Sequence, residues 1–153
     1  MEDIFETIRH MTDNNGKILN FQRDRFFNTL YSEHTAVYKE VEPKLFNLTN
    51  INDKVEIDLS SLGLSIDYRE KFIYPNKKII KNIIFYCSPS FDDNFIELLN
   101  VYINKDGQVA FSETKTCNFE ELQYPVLVQS QRLYDEFFEH LFTSLARNEL
   151  IVI

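Results

Sequence analysis

The sequence predicts an α+β fold with helices at the N-terminus, a central antiparallel β-meander of about four to five strands, and a long C-terminal amphipathic helix packed on one face of the sheet. Three observations predict it. Apolar residues recur at helical spacing near both ends of the 153-residue chain, they alternate with polar residues in the middle, and an Asp-Gly pair marks a hairpin there. Residues 1–153 fit a single domain, since typical domains contain about 100–150 residues.

Two helices are expected near the N-terminus. Ile4, Phe5, Ile8 and Met11 form one apolar stripe, with Asp3 as the capping residue and residues 14–16 (Asn-Asn-Gly) as the end of the helix. The second helix is expected over residues 20–33. Residues 36–41 fit either a strand or a helical continuation, and residues 43–53, in which Asn accumulates, are expected to form a loop.

Alternating and β-branched residues predict the strands of the meander. The Asp106-Gly107 pair supplies the backbone conformation that a tight reversal between two of them needs. The expected strands are 55–59, 62–68, 79–87, 95–103 and 109–116.

Residues 130–147 predict the strongest helix of the chain. Its stripe of seven large apolar residues is wide enough for Tyr134, Phe138 and Phe142 to lie at an edge of the core. Two interpretations remain open: the stripe is entirely core, or its edge also contacts a partner beside the acids of the helix. Residues 150–153 add a short strand or pack onto the core.

The charge is strongly acidic and unevenly distributed. The net charge is −8, and residues 91–149 contain four basic and eleven acidic residues, a balance of −7. Such a surface repels nucleic-acid backbones and anionic membranes and attracts basic partners. The longest apolar run has five residues and the N-terminus is acidic, so we expect a cytoplasmic chain without a signal peptide, in which Cys87 and Cys117 are free thiols.

Common catalytic and cofactor signatures are absent from the sequence. His10, His34 and His140 lack metal-ligand spacing, and the three glycines cannot form a phosphate-binding loop, so no metal and no cofactor are expected. Cys87 is interpreted as a buried strand residue. The basic cluster Lys77, Lys78 and Lys81 is interpreted as a set of charged residues that keep an edge of the sheet soluble.

One acidic pattern does suggest chemistry. Asp92 and Asp93 precede the hairpin, and Glu113-Thr114-Lys115 lies on its second strand. This arrangement resembles the core of metal-dependent nucleases of the PD-(D/E)xK type. The resemblance implies that Asp93 and Glu113 hold Mg²⁺ while Lys115 helps to activate the attacking water. The alternative interpretation is a turn with solvated aspartates and an exposed cross-strand pair.

The leading hypothesis is a non-enzymatic acidic inhibitor that occludes a basic partner protein, as an immunity protein does to a bacterial toxin or a phage anti-defence inhibitor does to its target. A metal-dependent nuclease and a structural or adaptor subunit of an obligate complex are the alternatives. A surface on which carboxylates lie beside aromatic side chains is suited to binding a basic protein. The expected partner-binding residues are Asp92, Asp93, Glu120, Glu121, Tyr134, Asp135, Glu136, Phe138 and Glu139.

Overall fold

A computed structural model confirms the α+β architecture: two N-terminal helices, an antiparallel sheet and a C-terminal helix that packs on it. The sheet is a simple meander, because each strand pairs with the next one along the chain. The structure describes residues 3–37, 47–51, 54–59, 62–89, 94–114, 119 and 122–151.

The helices are α1 (Ile4–Thr12), α2 (Asn14–Val37) and α3 (Arg132–Arg147). Asp3 caps α1 as predicted, because its Oδ1 accepts a hydrogen bond from the amide of Phe5 at 3.1 Å. The expectation that residues 14–16 end the first helix and separate it from the second is wrong. Only Asp13, in an extended conformation, lies between α1 and α2. A Cβ on Gly16 would lie 2.1 Å from the carbonyl oxygen of Met11, so this sharp corner requires glycine.

The sheet has seven strands, more than the four to five expected, although the last contains only two residues. Of the predicted loop at 43–53 the structure describes residues 47–51, and all of them form a strand, because Asn47–Ile51 pairs in register with Lys54–Asp58. Ladder pairing, which a sequence pattern does not show, overrides the low strand propensity of Asn here. The strands are β1 (Asn47–Ile51), β2 (Lys54–Leu59), β3 (Leu64–Ile73), β4 (Ile80–Pro89), β5 (Ile96–Ile103), β6 (Gln108–Ser112) and β7 (Val126–Leu127).

The predicted hairpin is confirmed as β5 and β6, with Gly107 in the left-handed region at φ 78°. A bulge interrupts the pairing of β4 with β5: Phe85 pairs with Leu99 and Tyr86 with Glu97, so Leu98 is the extra residue. The buried hydroxyl of Ser144 on α3 donates a 2.6 Å hydrogen bond to the carbonyl oxygen of Leu98. This bond satisfies a carbonyl that the bulge removes from the regular ladder, and it ties α3 to the sheet.

An aromatic cluster forms the centre of the core between the helices and the sheet. The ring of Phe137 on α3 is fully buried and lies 5.7 Å from Phe26 of α2 and 4.9 Å from Phe85 of β4, measured between ring centroids. Phe27 extends the cluster from Phe26 to Tyr68 of β3, with a centroid separation of 4.8 Å from Tyr68. The cluster therefore joins both long helices to the middle of the sheet.

A smaller cluster lies on the other face. Ile80, Tyr102 and Ala110 are buried there. The residue next to each of them in the chain belongs to one paired row, since Lys81 pairs with Ile103 and Ile103 with Val109. Because successive side chains of a strand point to opposite faces, Ile80, Tyr102 and Ala110 lie on the face opposite that row. The segment that precedes β7 covers them through Phe119, Leu122 and Tyr124. Leu150 and Ile151 pack against the main core and are not part of a strand, which agrees with the second of the two alternatives for the C-terminus.

Replacing Phe137 with Ala should lower the free energy of unfolding by about 3–5 kcal/mol, because the change leaves a cavity where three elements meet. Phe5→Ala is the matched control: it removes the same atoms from a ring that is 75% exposed, and it should change stability by no more than about 0.5 kcal/mol. Urea denaturation followed by circular dichroism measures both values. A loss below about 1 kcal/mol for Phe137→Ala would contradict this description of the core.

Candidate interaction surface

The apolar stripe of α1 faces solvent. Ile4, Phe5 and Ile8 are 68%, 75% and 50% exposed, and no described side chain of α1 is buried. The principal contacts of the helix are with α2, to which it is directly joined. An amphipathic helix gains its stability in a protein mainly by burying its apolar side. The exposed stripe of α1 is therefore a surface suited to covering by another molecule.

Exposed apolar side chains continue into the start of α2. Ile18 is 41% exposed and Phe21 is 58% exposed, with the guanidinium of Arg25 5.4 Å above the Phe21 ring centroid. The sequence predicts the α1 stripe but does not assign it to a binding surface. Periodicity marks which side of a helix is apolar, but it does not tell whether the protein itself covers that side.

Carboxylates outnumber basic side chains in the α1 segment, residues 3–13. Residues 3–13 carry Asp3, Glu6 and Asp13 against one guanidinium, that of Arg9, which is paired with Glu6 at 3.4 Å. The net charge of residues 3–13 is therefore −2 with His10 counted as neutral, so the exposed apolar side chains lie on an acidic segment. Such a combination favours a partner surface that presents both apolar and cationic groups.

The structure places Asp135 and Glu139 on the exposed side of α3, as expected. They are four residues apart on one helical face, where two like charges destabilise a helix by a few tenths of a kcal/mol, roughly 0.2–0.5. No basic group among the described residues forms an ion pair with either of them. Glu136 differs, because Arg132 lies 3.3 Å from its carboxylate and Nε2 of His140 lies 4.0 Å away. Asp135 and Glu139 are thus the α3 carboxylates available to a cation.

Tyr134 and Phe138 are buried, which agrees with the first of the two interpretations, that the stripe is core, and contradicts their assignment as partner-binding residues. The hydroxyl of Tyr134 lies 3.0 Å from Nδ1 of the buried His34 on α2, within hydrogen-bond distance. Phe138 packs on Tyr134 with a centroid separation of 4.7 Å. The reason is that α2 lies against this edge of α3, a neighbour that a single-helix pattern does not show. Both residues belong to the core in this fold.

Four further predicted binding residues lie outside the described part of the chain. They are Asp92, Asp93, Glu120 and Glu121. Of the nine residues expected to bind a partner, the structure therefore brings Asp135, Glu136 and Glu139 together on α3 and places Tyr134 and Phe138 beneath them.

Glu113, the described member of the nuclease-like pattern, contacts the side chains of His140 and Arg147. Nδ1 of His140 donates to Oε1 at 3.3 Å, and the guanidinium of Arg147 contacts Oε2. The Glu113 side chain is only 13% exposed, and the His140 ring stacks on Phe111. The carboxylate thus links β6 to α3. Asp93 and Lys115 lie outside the described residues, and among the described residues no group of three His, Cys, Asp or Glu side chains is placed to hold a metal ion.

The three clustered lysines have different environments. Lys81 is buried on β4, in the middle of the sheet; its Nζ donates to Oδ1 of Asn20 at 3.1 Å and lies 3.8 Å from Glu70. Burial lowers the pKa of Lys81, and the carboxylate of Glu70 opposes that effect. The interpretation of Lys81 as a residue that keeps an edge soluble is therefore wrong. Lys77 and Lys78 are exposed, in the turn between β3 and β4.

Cys87 is a buried strand residue, as interpreted from the sequence. Its side chain is fully buried on β4, and burial raises the pKa of its thiol. The thiolate is the reactive form, so both effects make this cysteine a poor nucleophile.

The Cys87 thiol should consequently resist modification in the folded protein. In a Cys117→Ser variant, where Cys87 is the single thiol, reaction with a disulfide reagent should be about a hundredfold slower than in urea, because the folded chain must first open locally by about 3 kcal/mol. Absorbance of the released thiolate measures the rate. Equal rates with and without urea would contradict the buried placement.

Within the part of the chain that the structure describes, no helix combines the length and the apolar character that crossing a membrane requires. Comparisons of the chain with models of known protein families, with curated proteins and with solved structures find no match.

Proposed function

We propose that this protein is a non-enzymatic binding protein that occludes a basic partner protein in the cytoplasm. An immunity protein that neutralises a bacterial toxin, or a phage inhibitor directed against a host defence protein, acts in this way. The observation that carries the proposal is the apolar stripe of α1, which the described fold leaves exposed.

The exposed α1 stripe supports binding because it costs free energy until something covers it. Burial of apolar surface contributes about 25 cal/mol per Å², and a ring such as that of Phe5 presents up to roughly 150–250 Å². A few side chains of this size at the centre of an interface supply much of the affinity in many complexes. Phe5 and Ile8 are suited to that anchoring role.

Charge supports a basic partner. The whole chain carries a net charge of −8, and both the α1 segment and the α3 surface around Asp135 and Glu139 present carboxylates. Electrostatic attraction accelerates encounter with a cationic protein and weakens as salt is added. The unpaired placement of Asp135 and Glu139 favours steering, since no described cation neutralises them.

Reversing the two α3 charges should slow association. We expect Asp135→Lys combined with Glu139→Lys to lower the association rate constant by about tenfold or more at low salt, and to flatten its dependence on ionic strength. The partner is first isolated from the native host lysate at low salt and identified by mass spectrometry. Stopped-flow or surface plasmon resonance then measures the rate constant at several salt concentrations.

A matched control makes the same change in charge elsewhere. Glu56→Lys combined with Asp67→Lys also reverses two exposed carboxylates, on β2 and β3, which alternate with the buried Ile57 and Ile66 and so lie on the face of the sheet opposite the main core. If this control slows association as much as the α3 variant does, only the net charge matters and the assignment of the α3 surface is wrong.

Removing the α1 anchors should weaken binding without weakening the fold. Phe5→Ala combined with Ile8→Ala is expected to raise the Kd by about tenfold or more, mainly through faster dissociation. Leu127→Ala is the control, because it truncates another large apolar side chain that is 43% exposed. An unchanged Kd in the α1 variant would contradict the role of α1, and equal weakening by Leu127→Ala would show that the effect is not local.

An obligate adaptor subunit is the second candidate function, and the same exposed α1 stripe favours it. The two functions differ in the behaviour of the isolated chain. An inhibitor that awaits its target should be a monomer in size-exclusion chromatography, whereas a subunit of a permanent complex should self-associate or precipitate. The α1 double variant should restore a monomer in the second case, since it removes the side chains that would drive the association.

A further inference from the structure

A basic hollow of about 370 Å³ lies at the end of the sheet where the β3–β4 and β5–β6 turns meet the start of α2. Its charged lining residues are Lys77 and Lys78 from the first turn and Lys105 from the second. Among the residues that the structure describes, no carboxylate lines it, although the chain as a whole carries a net charge of −8. Asp106, the chain neighbour of Lys105, is not among its lining residues.

The three ammonium groups are available to a ligand. None of them forms a salt bridge or a side-chain hydrogen bond with a described residue, in contrast to Lys81, which is held by Asn20 and Glu70. Each like charge near the others raises the electrostatic free energy of this end of the sheet. An anion that binds between the lysines would offset that repulsion.

A second hollow of about 470 Å³ adjoins the first and shares Lys78, Ile80 and Asn104 with it. Its lining combines polar and apolar side chains in similar proportion: Phe119, Leu122 and Tyr124 contribute to the apolar part, and Lys78 is its only charged lining residue among those described. The two hollows therefore place a cationic site directly beside a surface suited to a flat organic group.

The β3–β4 turn that carries two of the lysines has an unusual backbone. Asn76 and Lys77 are consecutive non-glycine residues at positive φ, 52° and 61°. Residues of this kind are uncommon, and they occur preferentially at ligand-binding and active sites. Here the left-handed pair sets the course of the backbone that carries Lys77 and Lys78 at the rim of the hollow.

We propose that the paired hollows bind an aromatic phosphate monoester, of which a nucleoside monophosphate is an example. The phosphoryl group lies among Lys77, Lys78 and Lys105, and the aromatic group rests against Tyr124 and Leu122. Ammonium groups bind phosphate as point charges, and an aromatic ring stacks on a half-buried tyrosine. This site is independent of the proposed interaction surface on α1 and α3.

Isothermal titration calorimetry at constant ionic strength tests the site. The probes are adenosine monophosphate, inorganic phosphate and adenosine, each titrated into the full chain. Adenosine monophosphate should bind saturably and at least tenfold more tightly than either part alone. Lys105→Gln and Tyr124→Ala should each raise its Kd about tenfold, whereas Lys71→Gln, which removes an exposed lysine of β3 outside both hollows, should leave it unchanged.

Nuclear magnetic resonance adds a positional readout that does not depend on the variants. Amide shifts on saturation should be concentrated in residues 74–80, 104–108 and 122–124. Absence of saturable binding would overturn the proposal, and so would an equal loss of affinity in Lys71→Gln. Adenosine monophosphate that binds no more tightly than inorganic phosphate would overturn the aromatic half of the site and with it the ligand class.

Discussion

The packing of Phe137 against Phe26 and Phe85 is the contact on which the rest of the structure depends. It is the point where α2, α3 and the central strand meet, and it sets the rotation of α3 about its axis. With Phe137 directed to the sheet, Tyr134 faces His34 of α2 while Asp135 and Glu139 face solvent. The acidic surface of α3 is therefore a consequence of how the core is packed, and the bond from Ser144 to the β5 bulge holds the same orientation.

The α1 helix stands apart from this core. None of its described side chains is buried, so the free energy of folding depends little on its apolar stripe. The two amphipathic helices therefore differ: α3 stabilises the fold, whereas α1 leaves its apolar side exposed, and under the proposed function that side binds the partner. Substitutions in the α1 stripe should therefore leave the folded state intact, so their effect on binding can be measured separately from stability.

Charge is segregated across the molecule. Carboxylates outnumber basic residues in residues 3–13 and in α3, whereas the charged residues described in the lining of the hollow at the β3–β4 and β5–β6 turns are lysines. A protein with a net charge of −8 would be expected to place carboxylates near such a lysine cluster to relieve its repulsion. Their absence from the described lining leaves two surfaces of opposite sign, suited to ligands of opposite charge.

The sequence by itself determined the elements whose signals are local: the stripe of α3, the cap of α1 by Asp3, and the Asp-Gly reversal of the β5–β6 hairpin. Only the tertiary structure decided what those elements touch. In the folded protein, residues 14–16 form the first turn of α2 and Asn47–Ile51 is a strand of the sheet. Tyr134, Phe138 and Lys81 are buried. Glu113 contacts His140 and Arg147. The physical reason is that periodicity reports the polarity of one element, whereas burial, pairing and exposure depend on the neighbours that folding brings together.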